Sequence, residues 1–292
     1  MIRYIGWSCE FKKNSGEGQL ARKFVNLNFN RKNIKIIIPK YNFIFSKYIY
    51  QIYGIFVLWY YYLLGKKIIY LNYLPLWNFI IFLMCPPNTI FGPITGSVQI
   101  NKINNFKSLV RFYIFPILYK LSLLILNLRL KKLIFATNIL TKYINKNISK
   151  KSEYNFILKN FKMTNTLKKN KNLIDLIVYF RKHENKFFKH HNILIKDQIN
   201  VGKKVVIVGD KIKLKGAVQL GKVSKSKLFS LIKKSRYALS GDDNLLSFFN
   251  LECLQNNVKI IYNYKLKYQN IKKISKLTRP YNYELKKFIK SY

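Results

Sequence analysis

Acidic residues and arginine are both scarce in this 292-residue chain. Asp and Glu number 11 against 54 Lys and Arg, so the formal net charge is +43. Only eight of the 54 basic residues are Arg, and the other 46 are Lys. Because Arg is the residue that bidentate phosphate and guanine recognition favours, the charge alone is a weak argument for nucleic-acid binding. Lys, Asn, Ile, Tyr and Phe share A/T-rich codons, so an A/T-rich genome accounts for much of the bias.

Cysteine is also scarce, and its spacing excludes several kinds of site. The three cysteines, Cys9, Cys85 and Cys253, lie far apart and form no C-x-x-C pair. We therefore expect a reducing compartment, no disulfide framework and no structural zinc. The sequence contains no P-loop and no Ser–His or Cys–His arrangement typical of covalent catalysis. Met1 leads directly into a strand-like run, so no signal peptide is predicted.

Two long stretches, residues 48–65 and 68–101, contain no charged side chain. The first is long enough to cross a bilayer. It carries six tyrosines scattered along its length, however, and these do not form two interfacial belts. The second is interrupted by Pro75, by the Pro86-Pro87 pair and by Gly92-Pro93. We therefore favour buried or surface-docked helices, and an integral membrane protein remains an alternative.

Strand-like and helix-like runs alternate along both halves of the chain, which is typical of parallel sheets covered by helices. In the first half we predict strands at 1–7, 33–38, 67–73, 89–94 and 132–137, and helices at 19–29, 48–65, 76–84 and 106–128. In the second half we predict strands at 173–180, 204–209, 237–239 and 258–261, and helices at 224–234 and 245–256.

The segment between the two series, residues 142–172, is rich in Lys and Asn and contains one strand-like run at 154–158. It predicts two Rossmann-like domains, an N-terminal one over 1–165 and a C-terminal one over 166–292. Two α/β domains joined by one linker favour a ligand cleft between them.

The segment from Ser240 to Ile261 has the features of an anion site. Asn244 is a good helix N-cap, and the N–H groups of Leu245, Leu246 and Ser247 would then point at a bound anion. Glu252 follows two helical turns later, so one helix could offer donors to a diphosphate and a carboxylate to sugar hydroxyls. An ordinary capped helix with a surface Glu would give the same pattern.

These residues resemble the glycosyltransferase family 4 group, which has the GT-B fold. The family places G-x-V before a helix, here Gly221, Lys222 and Val223, and then E-x7-E, here Asn244 and Glu252. It also carries R-x4-K after the first strand of the second domain, here Arg181 and Lys186. The resemblance implies that Arg181 and Lys186 hold the donor diphosphate and that Glu252 binds the ribose. Gly209, after the next strand, also fits this pattern.

The first half resembles the same family more loosely. Gly16, Glu17 and Gly18 match its S-G-x-G turn, where glycines let the backbone approach the donor. Thr95 and Gly96 belong to a segment similar to the family's G-P-x-x-G-G, which implies a cleft loop; a structural turn is the alternative. Asn244 departs from the family by replacing the first Glu, and no His lies in the first half. The three histidines of the second half are expected to be solvated.

The resemblance implies two Rossmann-like domains facing across a cleft. It also implies a retaining, metal-independent transfer of a hexose-like sugar from a nucleotide-sugar, which is a substrate and not a cofactor. The absence of D-x-D agrees with the expectation of no metal site. The apolar runs and the Lys-rich surface favour peripheral docking on the anionic inner face of the cytoplasmic membrane, with a glycan or lipid-linked acceptor and a role in polysaccharide biosynthesis. Nucleic acid is not expected as a partner.

Two alternatives to an active enzyme stay open. One is an organellar ribosomal or RNA-binding protein, favoured by the charge. Five of the 11 acidic residues count against it because they fall in candidate site segments: Glu17, Asp210, Asp242, Asp243 and Glu252. The other is a catalytically weakened GT-B protein, favoured by Asn244.

Overall fold

The computed structural model describes residues 2–39, 46–96, 106–159, 173–182, 189–212, 214–241, 244–262 and 282–284. The chain forms two compact units. The first contains Met1–Gly96 and Asn104–Lys159, and the second contains Ser97–Ile103 and Asn160–Tyr292. Each unit is built on its own parallel sheet, so the predicted α/β architecture is confirmed.

The first unit has a four-stranded parallel sheet in the order β2-β1-β3-β4. Its strands are β1 (Tyr4–Trp7), β2 (Ile34–Ile37), β3 (Lys67–Tyr70) and β4 (Ile90–Phe91), with helices α1 (Gly16–Asn28), α2 (Ser46–Leu63) and α3 (Phe79–Met84) between them. Ile94 continues the parallel pairing by bridging to Phe135. Phe135 directly follows β5 (Leu133–Ile134), which pairs in parallel with β6 (Ser152–Glu153).

Helix α2 lies flat on the sheet because Gly54 has no side chain. A Cβ at Gly54 would come within 2.1 Å of the indole Nε1 of Trp7 on β1. The same indole N–H donates to the Tyr50 carbonyl at 3.1 Å. Ile55 and Leu58 on this side of the helix are buried. The charge-free run predicted to be a buried or surface-docked helix therefore packs one of its sides on β1.

Residues 106–129 form one continuous helical stretch. It consists of α4 (Phe106–Leu109), a π-helical segment (Val110–Ile114) and α5 (Phe115–Arg129). Among the described residues, it is the one helix long and apolar enough to cross a bilayer, with a mean hydropathy of 1.8. Its last residue, Arg129, donates to the Leu83, Cys85 and Pro86 carbonyls at 2.7, 2.5 and 2.8 Å. This cation joins the end of α5 to the carboxyl end of α3, where carbonyls lack helical partners.

The second unit has a six-stranded parallel sheet in the order β12-β11-β10-β7-β8-β9. Its strands are β7 (Ile174–Phe180), β8 (Val205–Gly209), β9 (Val218–Gly221), β10 (Ser235–Leu239), β11 (Lys259–Tyr262) and β12 (Asn282–Glu284). Three helices connect them: α7 (Lys189–Asn200), α8 (Lys225–Lys233) and α9 (Phe248–Gln255). The short helix α6 (Lys146–Lys150) belongs to the first unit.

The core of the second unit lies on the central strand β7. Its alternate residues Leu176, Val178 and Phe180 are buried on one face with Leu194 and Ile195 of α7. Ile177, on the other face, is buried as well, so both faces of β7 are covered. A parallel strand covered on both faces reads as a continuous apolar run, which is why the sequence predicted β7 to within one residue.

Several predicted elements differ from the structure. The run at 154–158 is not a strand, because Phe156–Leu158 forms a 3-10 helix that follows Asn155 in the left-handed region at φ 58°. The helix predicted at 245–256 begins at Phe248. Strands β6, β9 and β12 and helices α6 and α7 were not predicted. Shorter helices over Arg31–Asn33 and Ile139–Tyr143 were also missed.

Candidate functional site

Three adjacent strands of the second unit end in polar residues at the same edge of the sheet. Strands β10, β7 and β8 lie side by side and run in parallel. Their carboxyl ends are followed directly by Ser240, Arg181 and Asp210. In open parallel α/β sheets, ligands bind outside this edge, so it is the candidate site of the second unit.

Arg181 is held at this edge by two neighbours. Its guanidinium Nε lies 3.8 Å from Oδ2 of Asp210, and its Nη1 donates to the Tyr179 hydroxyl at 3.2 Å. The same Asp210 oxygen accepts the backbone N–H of Lys182 at 2.9 Å. The Tyr179 ring stacks on Phe249 of α9 at 5.1 Å. Arg181 therefore has a defined position, and its side chain stays 52% exposed to an incoming ligand.

Lys186, the other half of the predicted diphosphate clamp, lies outside the described residues. So do Asp242 and Asp243 in the turn after β10. Of the two residues predicted to bind the diphosphate, the structure accordingly describes Arg181.

Glu252 lies in the middle of α9 and faces α8. Its carboxylate Oε1 is 3.5 Å from Nζ of Lys225, the first residue of α8, and its side chain is only 14% exposed. Burial raises the pKa of Glu252, and the Lys225 ammonium opposes that rise. Since α8 begins just beyond the carboxyl end of β9, the Lys225–Glu252 pair lies toward the ligand edge of the sheet.

The loop between β10 and α9 is organised by Asn250, which is fully buried. Its Oδ1 accepts from the Ser240 hydroxyl at 2.9 Å, and its Nδ2 donates to the Leu245 carbonyl at 2.9 Å. Its backbone N–H donates to the Ser247 hydroxyl at 3.3 Å. One side chain on α9 thus fixes both ends of the polar loop that follows β10.

The predicted N-cap at Asn244 is wrong. Ser247 caps α9, and Asn244 instead accepts the Leu246 N–H through its Oδ1 at 3.1 Å in the preceding turn. The Leu246 N–H is therefore used internally, and the Leu245 and Leu246 side chains are buried. The helix start that was predicted to bind an anion is accordingly at Phe248 and not at residues 245–247.

Gly209 and Gly221 end β8 and β9 in the left-handed backbone region, with φ of 106° and 65°. A Cβ at Gly209 would lie 2.2 Å from the Phe180 carbonyl oxygen, so Gly209 allows β7 and β8 to end side by side. After Gly221, Lys222 is exposed and Val223 is half-buried. Ser224 then caps α8 by accepting from the Lys227 N–H, and the predicted turn-to-helix transition is confirmed.

The glycines of the first unit have a structural explanation. Gly16, Glu17 and Gly18 form the first turn of α1 and not a loop before it. Ser15 caps this helix by accepting the Gly18 N–H at 3.0 Å. A Cβ at Gly18 would lie 2.3 Å from the Glu10 carbonyl oxygen, so close packing requires this glycine. The turn geometry expected from the resemblance is wrong at this point.

Thr95, predicted to lie in a cleft loop or a structural turn, is paired with a neighbouring segment of the first unit. Its backbone pairs with Pro75 in a parallel bridge, and its N–H and hydroxyl both donate to the Leu74 carbonyl. Gly96 packs against Leu140, whose Cδ1 would lie 2.7 Å from an added Cβ. Both residues are half-buried and are held by contacts within the first unit.

No group of three His, Cys, Asp or Glu side chains suited to a metal ion occurs among the described residues. Cys9, Cys85 and Cys253 are free thiols. Burial raises the pKa of Cys9 to about 11 and that of Cys85 to about 12, so neither is a reactive thiolate at neutral pH. His191, expected to be solvated, is buried in α7 at 2% exposure.

Two residues of the site were missed by sequence reasoning, Lys225 and Asn250. Lys225 is one of 46 lysines, and its meeting with Glu252 depends on α8 packing beside α9. Asn250 lies three residues after Ser247. The signal available in the sequence was a polar residue within a largely apolar helix, because Asn250 is flanked by Phe and Leu in FFNLECLQ.

No family model matches the chain, and no curated protein matches it. Several solved structures are similar to it. HepE of Anabaena, solved with UDP and glucose, is 8% identical with a TM-score of 0.50, over 90% of this chain and 81% of that one. The lipopolysaccharide outer core galactosyltransferase WaaB in its apo form is 10% identical with a TM-score of 0.47, over 89% and 80%.

The UDP-GlcNAc 2-epimerase of Methanocaldococcus jannaschii, solved with UDP-GlcNAc and UDP, is 13% identical with a TM-score of 0.47. The similarity covers 99% of this chain and 91% of the epimerase chain. At such identities the similarity concerns the fold. The fold is GT-B, as the resemblance implied, and it is shared with HepE, which was solved with UDP and glucose.

Proposed function

We propose that the chain is a glycosyltransferase that moves a hexose-like sugar from a nucleotide-diphosphate donor to a glycan or lipid-linked acceptor. The observation that carries the proposal is the position of Arg181 within a GT-B fold. Its half-exposed guanidinium lies at the carboxyl edge of the second unit's parallel sheet, where such sheets bind ligands. In this proposal residues 166–292 bind the donor and residues 1–165 serve the acceptor.

The candidate site residues of the second unit have the following proposed roles. Arg181, with Lys186, binds the diphosphate and stabilises the leaving group as the glycosidic bond breaks. Glu252 accepts hydrogen bonds from the ribose hydroxyls. The backbone at Lys222 and Val223 contacts the base, and the first turn of α9 beyond Ser247 offers N–H donors to the phosphates.

The transfer is proposed to retain the anomeric configuration and to proceed without a metal ion. Two cationic side chains neutralise the diphosphate in place of a divalent cation, because a guanidinium gives bidentate, charge-assisted hydrogen bonds to phosphate oxygens. Asn244 replaces a carboxylate of the resembling family by an amide, which still donates and accepts hydrogen bonds to sugar hydroxyls.

The test is a thermal-shift screen with UDP, GDP, ADP and their sugars on wild type, Arg181→Ala and Glu252→Gln. We expect one nucleoside diphosphate to raise the Tm of wild type and both variants to lose most of that ligand-induced rise. The ligand-induced rise is the readout, since the substitutions alter the Tm of the free protein as well.

The chain offers a matched control for each variant. Arg236 is an exposed arginine near the amino end of β10, at the edge of the sheet opposite to Arg181, so Arg236→Ala should keep the full response. Asp197 is an exposed carboxylate on α7, so Asp197→Asn should do the same. If no nucleotide stabilises wild type while the protein binds RNA tightly and with strong salt dependence, the enzyme proposal is wrong. Nucleotide binding without donor hydrolysis or transfer would indicate the weakened form.

A further inference from the structure

Three neighbouring helices of the first unit expose large apolar side chains. Twenty of the 27 large hydrophobic residues exposed in the described part of the chain lie on α2 and the turn after it, on α3, or on the 106–129 helix, and they are 37% to 78% exposed. Monomeric soluble proteins rarely expose so many large apolar groups together. We call this surface the apolar face; its members are Ile49, Ile52, Tyr53, Phe56, Trp59, Tyr60, Leu63, Leu64, Ile80, Leu83, Met84, Phe106, Leu109, Phe112, Tyr113, Ile114, Ile117, Leu121, Leu124 and Leu128.

The three helices are connected directly to one another. The Trp59 indole N–H on α2 donates to the Met84 carbonyl at the end of α3 at 2.8 Å. Arg129 at the end of α5 donates to carbonyls of the same end of α3. The apolar face is therefore one neighbourhood of the first unit, with α3 joined to α2 on one side and to α5 on the other.

The exposed residues follow helical periodicity. On α2 they recur at Ile49, Ile52, Phe56, Tyr60 and Leu63, steps of three and four that mark one stripe of a helix. A different stripe of α2, with Ile55 and Leu58, is buried against the sheet. The helix thus has one apolar stripe for the protein core and a second one for something outside the protein.

Helix α5 repeats this arrangement. Tyr119, Leu123 and Leu126 are buried against the protein, whereas Ile117, Leu121, Leu124 and Leu128 form an exposed stripe. A helix that spanned a bilayer would have to leave the unit whose core it completes. It would also carry Lys120 into the hydrocarbon centre, which is costly. The buried stripe and the exposed stripe of α5 together therefore indicate a helix that lies parallel to the surface of an apolar medium and does not cross it.

The charged residues in the chain segment that carries the apolar face all have one sign. No Asp or Glu occurs in the sequence between Glu17 and Glu153. Exposed lysines flank or interrupt the helices of the face, among them Lys67, Lys107, Lys120 and Lys131. A second copy of the chain would bring the same positive surface against itself, which like-charge repulsion opposes. Anionic lipid headgroups complement it, at about 1 kcal/mol per basic residue near the surface.

We propose that the apolar face docks in the plane of an anionic lipid bilayer, with α2, α3 and the 106–129 helix inserted at the boundary between headgroups and acyl chains. The lysines contact the headgroups, and the exposed stripes enter the apolar layer. This surface belongs to the first unit and makes no use of the nucleotide site proposed for the second, so the two proposals fail independently.

The test measures binding of the full chain to vesicles of phosphatidylcholine alone and of phosphatidylcholine mixed with phosphatidylglycerol. Wild type should cosediment with the mixed vesicles, and added salt should weaken the binding. Ile52→Glu with Phe56→Glu, or Ile117→Glu with Leu124→Glu, should each weaken it about a hundredfold, since each pair removes two large side chains from the apolar layer. Ile193→Glu with Val218→Glu, exposed apolar residues of the second unit, should leave binding unchanged.

A second readout does not depend on sedimentation. Trp59 is exposed on the apolar face, Trp7 is buried, and Trp77 is half-buried and stacked on Phe115 of α5. Tryptophan emission should therefore shift to the blue with mixed vesicles, and Trp59→Phe should remove most of that shift. Equal binding by the Glu variants, or no binding by wild type, overturns the proposal. A wild-type dimer that the Glu substitutions on the apolar face dissociate would also overturn it, because that result indicates self-association. So would wild type that stays in the membrane pellet after alkaline carbonate extraction, because that result indicates a spanning helix. The nucleotide-induced Tm rise should be kept in all Glu variants.

Discussion

Nε of Arg181 lies 3.8 Å from the Asp210 carboxylate, across the carboxyl ends of two adjacent strands. The cation proposed to bind the donor diphosphate is thus already paired with an anion in the free protein. Both side chains are partly exposed, so the pair itself adds little stability. An arriving diphosphate would meet the attraction of Arg181 and the repulsion of Asp210 at the same place.

Asp210→Asn should therefore bind the nucleoside diphosphate more tightly than wild type, by up to about 1 kcal/mol, the size of a partly exposed charge interaction. The amide keeps an oxygen that can accept the Lys182 N–H, so the strand end stays in place. Isothermal titration at low and high salt measures the effect, which should shrink at high salt. Weaker binding by Asp210→Asn would mean that Asp210 serves to position Arg181.

Glu252→Gln should stabilise the free protein at neutral pH. Burial raises the pKa of Glu252 in the folded state, so the folded protein favours the protonated carboxyl. The stability from this group is complete below its unfolded pKa of about 4.3 and is lost as the pH rises through the folded pKa. The Tm advantage of Glu252→Gln should accordingly be present at pH 7 to 8, on the order of a few degrees, and vanish near pH 4.

Two further variants check this pH dependence. Lys225→Met removes the neighbouring cation that opposes the rise in the pKa of Glu252, so it should lower the Tm more at neutral than at acid pH. Asp197→Asn, at an exposed position outside the Lys225–Glu252 pair, is the matched control for the loss of one carboxylate. A constant Tm difference between Glu252→Gln and wild type across the pH range would contradict the raised pKa.

The strands that carry the site could be predicted closely from the sequence. The runs at 173–180 and 204–209 correspond to Ile174–Phe180 and Val205–Gly209. Central parallel strands are covered on both faces, so they are continuous apolar runs that end at a polar residue or a glycine. Strand β9, Val218–Gly221, was missed because it is an edge strand with two exposed residues and no apolar run.

The start of α9 could not be predicted, because two good capping residues compete for it. Asn244 and Ser247 are both favoured N-caps, and local preference does not separate them. The choice depends on the buried Asn250, whose bonds to Ser240 and Leu245 appear only once β10 and α9 have packed together. The same holds for the Lys225–Glu252 pair, which joins residues 27 apart in sequence on two helices.

Asn250→Leu tests the role of this buried amide. The substitution keeps the number and branching of the side-chain heavy atoms but leaves the Ser240 hydroxyl and the Leu245 carbonyl without their partner in a buried place. We expect a loss of about 2–4 kcal/mol in the free energy of unfolding, measured by urea denaturation. Asn200→Leu, at the exposed end of α7, should change it by less than about 0.5 kcal/mol. A similar small effect at Asn250 would show that the loop is held by other contacts.

Gly209 and Gly202 separate backbone strain from steric clash. Both have positive φ, 106° and 72°, so an alanine is strained at either position. A Cβ at Gly202 meets nothing within 4 Å, whereas a Cβ at Gly209 would lie 2.2 Å from the Phe180 carbonyl oxygen. Gly202→Ala should therefore cost about 1 kcal/mol, the strain of the left-handed region alone. Gly209→Ala should cost about 2 kcal/mol more, because backbone of two adjacent strands must move.

Urea denaturation of the two alanine variants gives this difference directly. The clash at Gly209 also displaces the carboxyl end of β7, since Asp210 N–H donates to the same Phe180 oxygen at 2.9 Å. Arg181 follows Phe180 directly, so Gly209→Ala should weaken nucleotide binding while Gly202→Ala leaves it intact. Equal losses of stability in the two variants, with nucleotide binding intact in both, would contradict the predicted clash at Gly209.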